Sequence, residues 1–178
     1  YITNPCIMEK SNADNADKGG LDEDKIDVVY NGSCSRFIPL SREQQIEAKV
    51  KYAWGCDYFL FVSAIHKRKN LANMLKAFDA FKDSVDTDMK FVVAGERFGN
   101  QDDVNEVLRT MRHVADVRFL GYVTAEVLGE LMGAAHALVY ASLFEGFGIP
   151  ILEAFAAETA VITSNVTSMP EVAGDAAI

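Results

Sequence analysis

The sequence predicts an α/β domain in which a parallel sheet carries helices on both faces. Three observations predict it. Short, nearly unbroken apolar runs recur, as strands buried on both faces require. Between them lie stretches whose apolar residues repeat at helical spacing. The two kinds alternate at intervals of about 20–30 residues, which is the pattern of βαβ units joined by right-handed crossovers.

Taken in order, residues 9–27 are acidic, contain glycine and hold almost no large apolar group, so residues 1–27 read as a linker or flexible lead-in. Residues 28–178 read as the folded domain. "KIDVVYNGS" (25–33) is a short strand closed by a turn at Asn31-Gly32. Ser41 followed by Gln44 has the spacing of a capping box, and "REQQIEAKVKYAW" continues as a helix. "YFLFVSAI" (58–65) is a doubly buried strand. "LANMLKAFDAF" (71–81) places Leu71, Met74, Leu75, Phe78 and Phe81 on one helical stripe. A strand at 89–96, a helix at 103–114 and a strand at 117–123 follow. Thr124 caps a helix, residues 136–142 form a strand, "PILEAFAAE" a helix and residues 159–165 a strand. The final "GDAAI" reads as the beginning of another strand, so the sequence is expected to be a piece of something longer.

Composition narrows the function. The 178 residues are 49% hydrophobic and 24% charged, ordinary for a globular domain. No apolar run has the length of a membrane span, and the first residues lack a signal-peptide pattern. A net charge of −9 argues against a nucleic-acid binder. Cys6, Cys34 and Cys56 have neither redox nor zinc-finger spacing, which suits reduced thiols in a cytoplasmic setting. No dinucleotide fingerprint, P-loop or nucleophile elbow is present, and His66, His113 and His136 have no metal spacing.

Ligands of an open parallel sheet sit beyond the carboxyl ends of the strands, so the loops there carry the chemistry. After strand 58–65, "SAIHKRKN" places Lys67, Arg68 and Lys69 before a helix start near Asn70. Three cations there oppose the helix dipole. An anion such as a diphosphate would resolve the conflict; the alternative is a solvated basic turn. After strand 136–142, "LFEGFGIPILEA" holds Glu145 and Glu153 with seven residues between them. Gly146 and Gly148 permit a close backbone approach to a ligand. Pro150 suits the first helical position, where its missing N–H is not needed. The amides of 146–149 would then point out of the sheet edge. Glu153 is expected in the first helical turn, where its plainest role is to stabilise the dipole. Glu145, just past a buried strand, must be solvated or bonded, and vicinal sugar hydroxyls are natural partners for it. In the third loop, "GYVTAE", Tyr122 or Val123 could flank a base, or the loop is a plain connection.

These segments, in this order and over about Lys25 to Ile178, resemble the C-terminal, donor-binding domain of the family-4 (group 1) glycosyltransferases of the GT-B fold. "DVVYNGS" is similar to the interdomain strand and turn, "FVSAIHKRKNL" to the phosphate loop, "EGFGIPILEA" to the Glu-x7-Glu motif and "VITSNVTSMPEVAGDAA" to the segment that follows it. The resemblance implies a Rossmann-like half of a GT-B enzyme, a retaining hexosyltransferase. Its donor would be a nucleotide-diphosphate sugar, with "HKRKNL" pointing to GDP-mannose and a UDP-sugar as the other option. The acceptor would be a glycan or lipid-linked chain. In that reading Glu145, Lys69 and Arg68 serve the reaction: Glu145 contacts the donor hexose, and the two cations meet the phosphates. Glu153 holds the ribose hydroxyls; Gly146, Phe147, Gly148, Ile149, Ser63 and Val123 line the donor. No cofactor and no metal are implied. An N-terminal acceptor domain would complete the enzyme, so this chain alone would bind donor without turnover. The full-length protein would be cytoplasmic, or peripheral at the inner face of the membrane. Two positions depart from the family pattern: Ala64 stands where an arginine is frequent, and Ser63 where glycine is usual. A GT-B-like epimerase or phosphorylase and a non-catalytic nucleotide-binding or assembly module are the alternatives. The histidine and lysine sets of the first two are not seen, and a scaffold has no need of both glutamates.

Overall fold

A computed structural model describes residues 31–32, 35–97, 99 and 102–178. The lead-in over 1–27 and most of the strand and turn expected at 25–33 lie outside the described residues.

Helix α1 (Arg42–Ala53) begins at Ser41, whose hydroxyl accepts the Gln44 N–H while the Gln44 side chain accepts the Ser41 N–H. This is the reciprocal cap expected from the sequence. Trp54 and Gly55 then take left-handed conformations and reverse the chain into β1 (Tyr58–Val62). A single 3-10 turn (Lys67–Lys69) leads into α2 (Leu71–Ser84), followed by β2 (Lys90–Ala94) and α3 (Asp102–Thr110). After a second 3-10 turn come β3 (Val117–Gly121), α4 (Ala125–Ala134) capped by Thr124, β4 (Ala137–Tyr140), α5 (Ile149–Ala156), β5 (Ala160–Thr163) and the short α6 (Met169–Ala173). The strands are two or three residues shorter than their apolar runs, because the ends of those runs serve the loops at the rim.

The five strands are parallel in the order β3-β2-β1-β4-β5. From β1 the chain builds outward through β2 to β3, then returns to place β4 on the other side of β1. The sheet separates two cores. On one face, Phe61, Ile65 and Phe91 meet Leu71, Met74, Leu75 and Phe78 of α2 and Val104 and Val107 of α3. On the other, Leu60, Val92 and Leu138 meet Tyr52 of α1, Leu131 and Met132 of α4 and Ile151 and Ala154 of α5. The helical stripe read at 71–81 is this buried face, with Phe81 half covered and edge-on to Phe59. At the amino edge of the sheet, Asp116 accepts from Lys90 and from Lys82 at 3.0 Å, tying β2 and β3 to the end of α2. Ile178 accepts from the Thr163 N–H and donates to Val161 O, lying along the outer edge of β5 as a strand would. Among the described residues no helix is long and apolar enough to cross a membrane.

One glycine is demanded by the rim. Gly95, at the end of β2, has φ +147, and a Cβ built there would stand 1.8 Å from the Ser63 carbonyl oxygen. That oxygen belongs to backbone fixed by the Ser63 N–H bond to Ala94 O, so neither partner can yield cheaply. Gly95→Ala should therefore cost about 3 kcal/mol or more in urea-unfolding free energy. A stability within about 0.5 kcal/mol of the parent would contradict the packing described here.

Candidate donor site

The order reversal between β1 and β4 opens a crevice at the carboxyl ends of these two central strands. Both loops that the sequence singles out border it. The basic loop leaves β1, and the glutamate–glycine loop leaves β4.

Lys69 and Glu145 meet in this crevice. Lys69 Nζ lies 2.5 Å from Glu145 Oε1, and Arg68 Nη1 lies 3.0 Å from Glu145 Oε2. Glu145 is 6% exposed and Lys69 8%, whereas Arg68 reaches in from a half-exposed position. Burial pushes the Glu145 carboxyl up, but the Lys69 ammonium and the Ser142 and Tyr140 hydroxyls together hold the group below the usual carboxylate range. Burial draws the Lys69 ammonium below its ordinary value, against the pull of Glu145. Tyr140, the last residue of β4, completes the cluster: its hydroxyl accepts from Lys69 Nζ at 3.3 Å. Burial pushes this phenol upward, and the charges of Glu145 and Glu153 push the same way, so Glu153 stands within electrostatic reach.

The conflict expected from three cations before a helix is thus met inside the chain. The Glu145 carboxylate meets Arg68 and Lys69 directly, and Lys69 is buried rather than solvated. The basic loop also grips its neighbour through backbone groups. Arg68 O accepts the Leu143 N–H at 2.8 Å, Arg68 Nη1 donates to Phe144 O at 3.1 Å, and Asn70 Nδ2 donates to Ala141 O at 2.9 Å. Asn70 sits at φ 62, a conformation asparagine tolerates better than most residues.

Helix α5 starts one residue earlier than its proline suggests. Ile149 is the first helical residue and Pro150 the second, and Gly148 at φ 110 precedes them without any side-chain cap. The amides of Gly146, Gly148 and Ile149 make no hydrogen bond to a described residue. Glu153 consequently lies past the first turn, which removes the dipole role proposed for it. Its half-buried carboxyl has no hydrogen bond or ion pair among the described residues, and burial alone pushes it upward. The Phe147 side chain, in a residue expected to line the donor, is 5% exposed, and the Phe147 carbonyl is bonded to Ser168.

Ser63 lies at the crevice, half buried, at the end of β1. Val123 does not join the cluster. Its loop follows β3, two strands from β1 on the same rim, and its side chain packs on the core under α1 and α4, leaving Tyr122 exposed. Ala64 provides no cation. Arg97 on the neighbouring loop pairs through its backbone with Ile65, but its guanidinium lies over Phe119. Among the described residues no group of three or more His, Cys, Asp or Glu is placed to hold a metal ion. Sequence reasoning missed Tyr140, Thr167 and Ser168. Tyr140 carried a weak signal, an aromatic with a polar tip closing an aliphatic strand; the other two carried none.

A five-stranded parallel sheet of this order, flanked by helices, is the architecture of one half of a GT-B glycosyltransferase. The chain belongs to the glycosyl transferases group 1 family, whose model matches residues 43–177. It is 35% identical over 159 residues to O-antigen chain mannosyltransferase B of Escherichia coli, covering 87% of this chain and 41% of that protein. The crystal structure of WaaG, a glycosyltransferase involved in lipopolysaccharide biosynthesis, superposes with a TM-score of 0.78 at 19% identity, over 93% of this chain and 45% of the other. Anabaena HepE in complex with UDP and glucose superposes at 0.74 with 18% identity, over 91% of this chain and 44% of the other. The chain therefore spans less than half the length of these relatives.

Removing Lys69 leaves a buried carboxylate with only its exposed partner. Lys69→Met should cost about 3 kcal/mol in equilibrium unfolding, and adding Glu145→Gln should restore more than half of that. The pH dependence follows from the depressed Glu145 value. The stability contributed by the ionised carboxylate is present above the unfolded carboxylate range and is lost as pH falls through the folded value. The difference between the parent and Glu145→Gln should accordingly shrink in unfolding curves taken at pH values falling through the folded value of Glu145. Glu153 has the opposite sign: its folded value is raised, so its ionised form at neutral pH is a burden. Glu153→Gln should stabilise the fold by about 1 kcal/mol, or about 2–4 °C in Tm, with the gain absent in acid.

Proposed function

We propose that this chain is the donor-binding domain of a retaining hexosyltransferase that takes a nucleoside-diphosphate sugar. The observation that carries the reading is the convergence of Lys69 and Arg68 on Glu145 at the order reversal, beside the uncapped start of α5. In the proposed complex the diphosphate lies against Arg68, Lys69 and the amides of Gly146, Gly148 and Ile149. Glu145 keeps lone pairs available for donor sugar hydroxyls. Glu153, half buried and unpartnered among the described residues, takes the ribose hydroxyls. Hydroxyl donors there would offset its desolvation, which is why a residue costly to the fold suits the site.

The chemistry asked of such a site is stabilisation of a departing diphosphate and of an oxocarbenium-like sugar centre. Fixed cations and aligned amides serve the first, in a setting where no reorganisation is needed at the moment of reaction. The anionic Glu145, near the sugar, serves the second. We propose no cofactor and no metal for this half. The mannosyltransferase relative supports GDP-mannose as donor, and the UDP and glucose of the HepE complex support a UDP-sugar. A glycan or lipid-linked acceptor is proposed to bind on a region outside this chain, so that turnover requires the longer protein.

Thermal unfolding with GDP-mannose, UDP-glucose and the free diphosphates tests this reading. A cognate ligand at about 100 times its Kd should add roughly 2.7 kcal/mol, and Glu145→Ala or Lys69→Ala should weaken its binding at least about tenfold. Equal affinity in parent and both variants, measured by calorimetry on folded protein, would sink the site assignment.

A further inference from the structure

We propose that Thr167 and Ser168, in the loop between β5 and α6, are positioning residues for the 145–148 turn, fixing where its amides and the Glu145 carboxylate point. What is bound there rests on the donor reading above; the positioning itself does not. Ser168 is 2% exposed, and its hydroxyl lies 3.0 Å from Glu145 O and 2.8 Å from Phe147 O. One proton is shared between carbonyls two residues apart, a geometry that curls the chain around Gly146. Thr167 Oγ1 accepts the Glu145 N–H at 3.2 Å. Two consecutive residues thus hold three backbone groups of the turn.

Thr167 carries an independent sign of constraint. Its φ is +56, a left-handed conformation unfavourable for a β-branched residue and free of cost for glycine. Strain of this kind persists where the surroundings over-determine it. Here the surroundings are Met169, fully buried behind the loop, and the bond to Glu145, which a glycine could not make. The division of labour is plain from the contacts. The basic loop holds Ala141, Leu143 and Phe144 through Arg68 and Asn70, and the β5–α6 loop holds Ser142 through Ser164 and residues 145–147 through Thr167 and Ser168. The two sets of bonds meet at Glu145, whose side chain belongs to one and whose backbone belongs to the other.

Amide hydrogen exchange and calorimetry on four variants decide the matter. Ser168→Ala removes the shared proton. Thr167→Gly relaxes the backbone while removing the Glu145 bond, and should fold even where Ser168→Ala does not. Ser168→Thr keeps the hydroxyl. Thr159→Val removes a comparable buried hydroxyl bond, to Met132 O at 2.6 Å, at the opposite edge of the sheet. Without nucleotide, Ser168→Ala and Thr167→Gly should speed exchange in residues 145–149 by about tenfold while β1 and α2 stay protected. Ser168→Thr should restore protection, and Thr159→Val should leave this segment unchanged. Whichever of GDP-mannose and UDP-glucose the parent binds, the two loosening variants should bind it at least about tenfold more weakly. Unchanged exchange at 145–149 in both loosening variants, or equal loosening by Thr159→Val, overturns the positioning role. Parent-like affinity in a variant whose turn has loosened removes the donor reading for these amides and leaves the positioning role standing. Selective loosening in a parent that binds neither probe would leave the positioning role standing and remove the donor reading instead.

Discussion

The buried carboxylate of Glu145 is the constraint on which the rim depends. It arises from a conflict: a central parallel strand must end in apolar packing, yet its loop delivers an anion into that packing. Lys69 and Arg68, 76 and 77 positions away in the chain, resolve it at 2.5 and 3.0 Å. Desolvating two charges is expensive, and attraction at short range returns the cost only when geometry and further hydrogen bonds are good. Here they are, with the Tyr140 hydroxyl beside the ammonium and the arginine also bound to Phe144 O. The pair therefore fixes two loops at once and keeps the carboxylate ionised.

The fold was legible because its signals are local and repeated. Doubly buried strands show as apolar runs, and the caps at Ser41 and Thr124 show as hydroxyls before helical spacing. The rim was legible in part. Lys69, Arg68 and Glu145 stood out as charges beside buried strands, and the position of their loops followed from the topology of parallel sheets. What failed was tertiary. The burial of Phe147 is set by packing, and the start of α5 follows Gly148 taking φ 110. The basic turn gave no hint that Glu145, far along the chain, would meet its cations. Thr167 and Ser168 gave no sign because their work is done through backbone groups of another loop.

Belonging to the group 1 glycosyl transferases sets this geometry in a family while leaving room for individual features. Ala64 stands at a position where the family often has arginine, and Arg97 nearby is occupied with Phe119 and Asn105. The positive charge of the crevice is thus concentrated in Arg68 and Lys69, both already engaged with Glu145. Anything anionic that meets these cations must share them with a resident carboxylate.

Pro150 has a consequence beyond helix initiation. Lacking an N–H, it leaves a gap in the ring of donors that normally crowns a helix, and the next amide, Ile151, already serves the Gly148 carbonyl. The crown of α5 is therefore lopsided. Its available hydrogens are those of Gly148 and Ile149, joined by Gly146 from the turn, so an oxygen arriving at this end finds one helical donor fewer than most helices present.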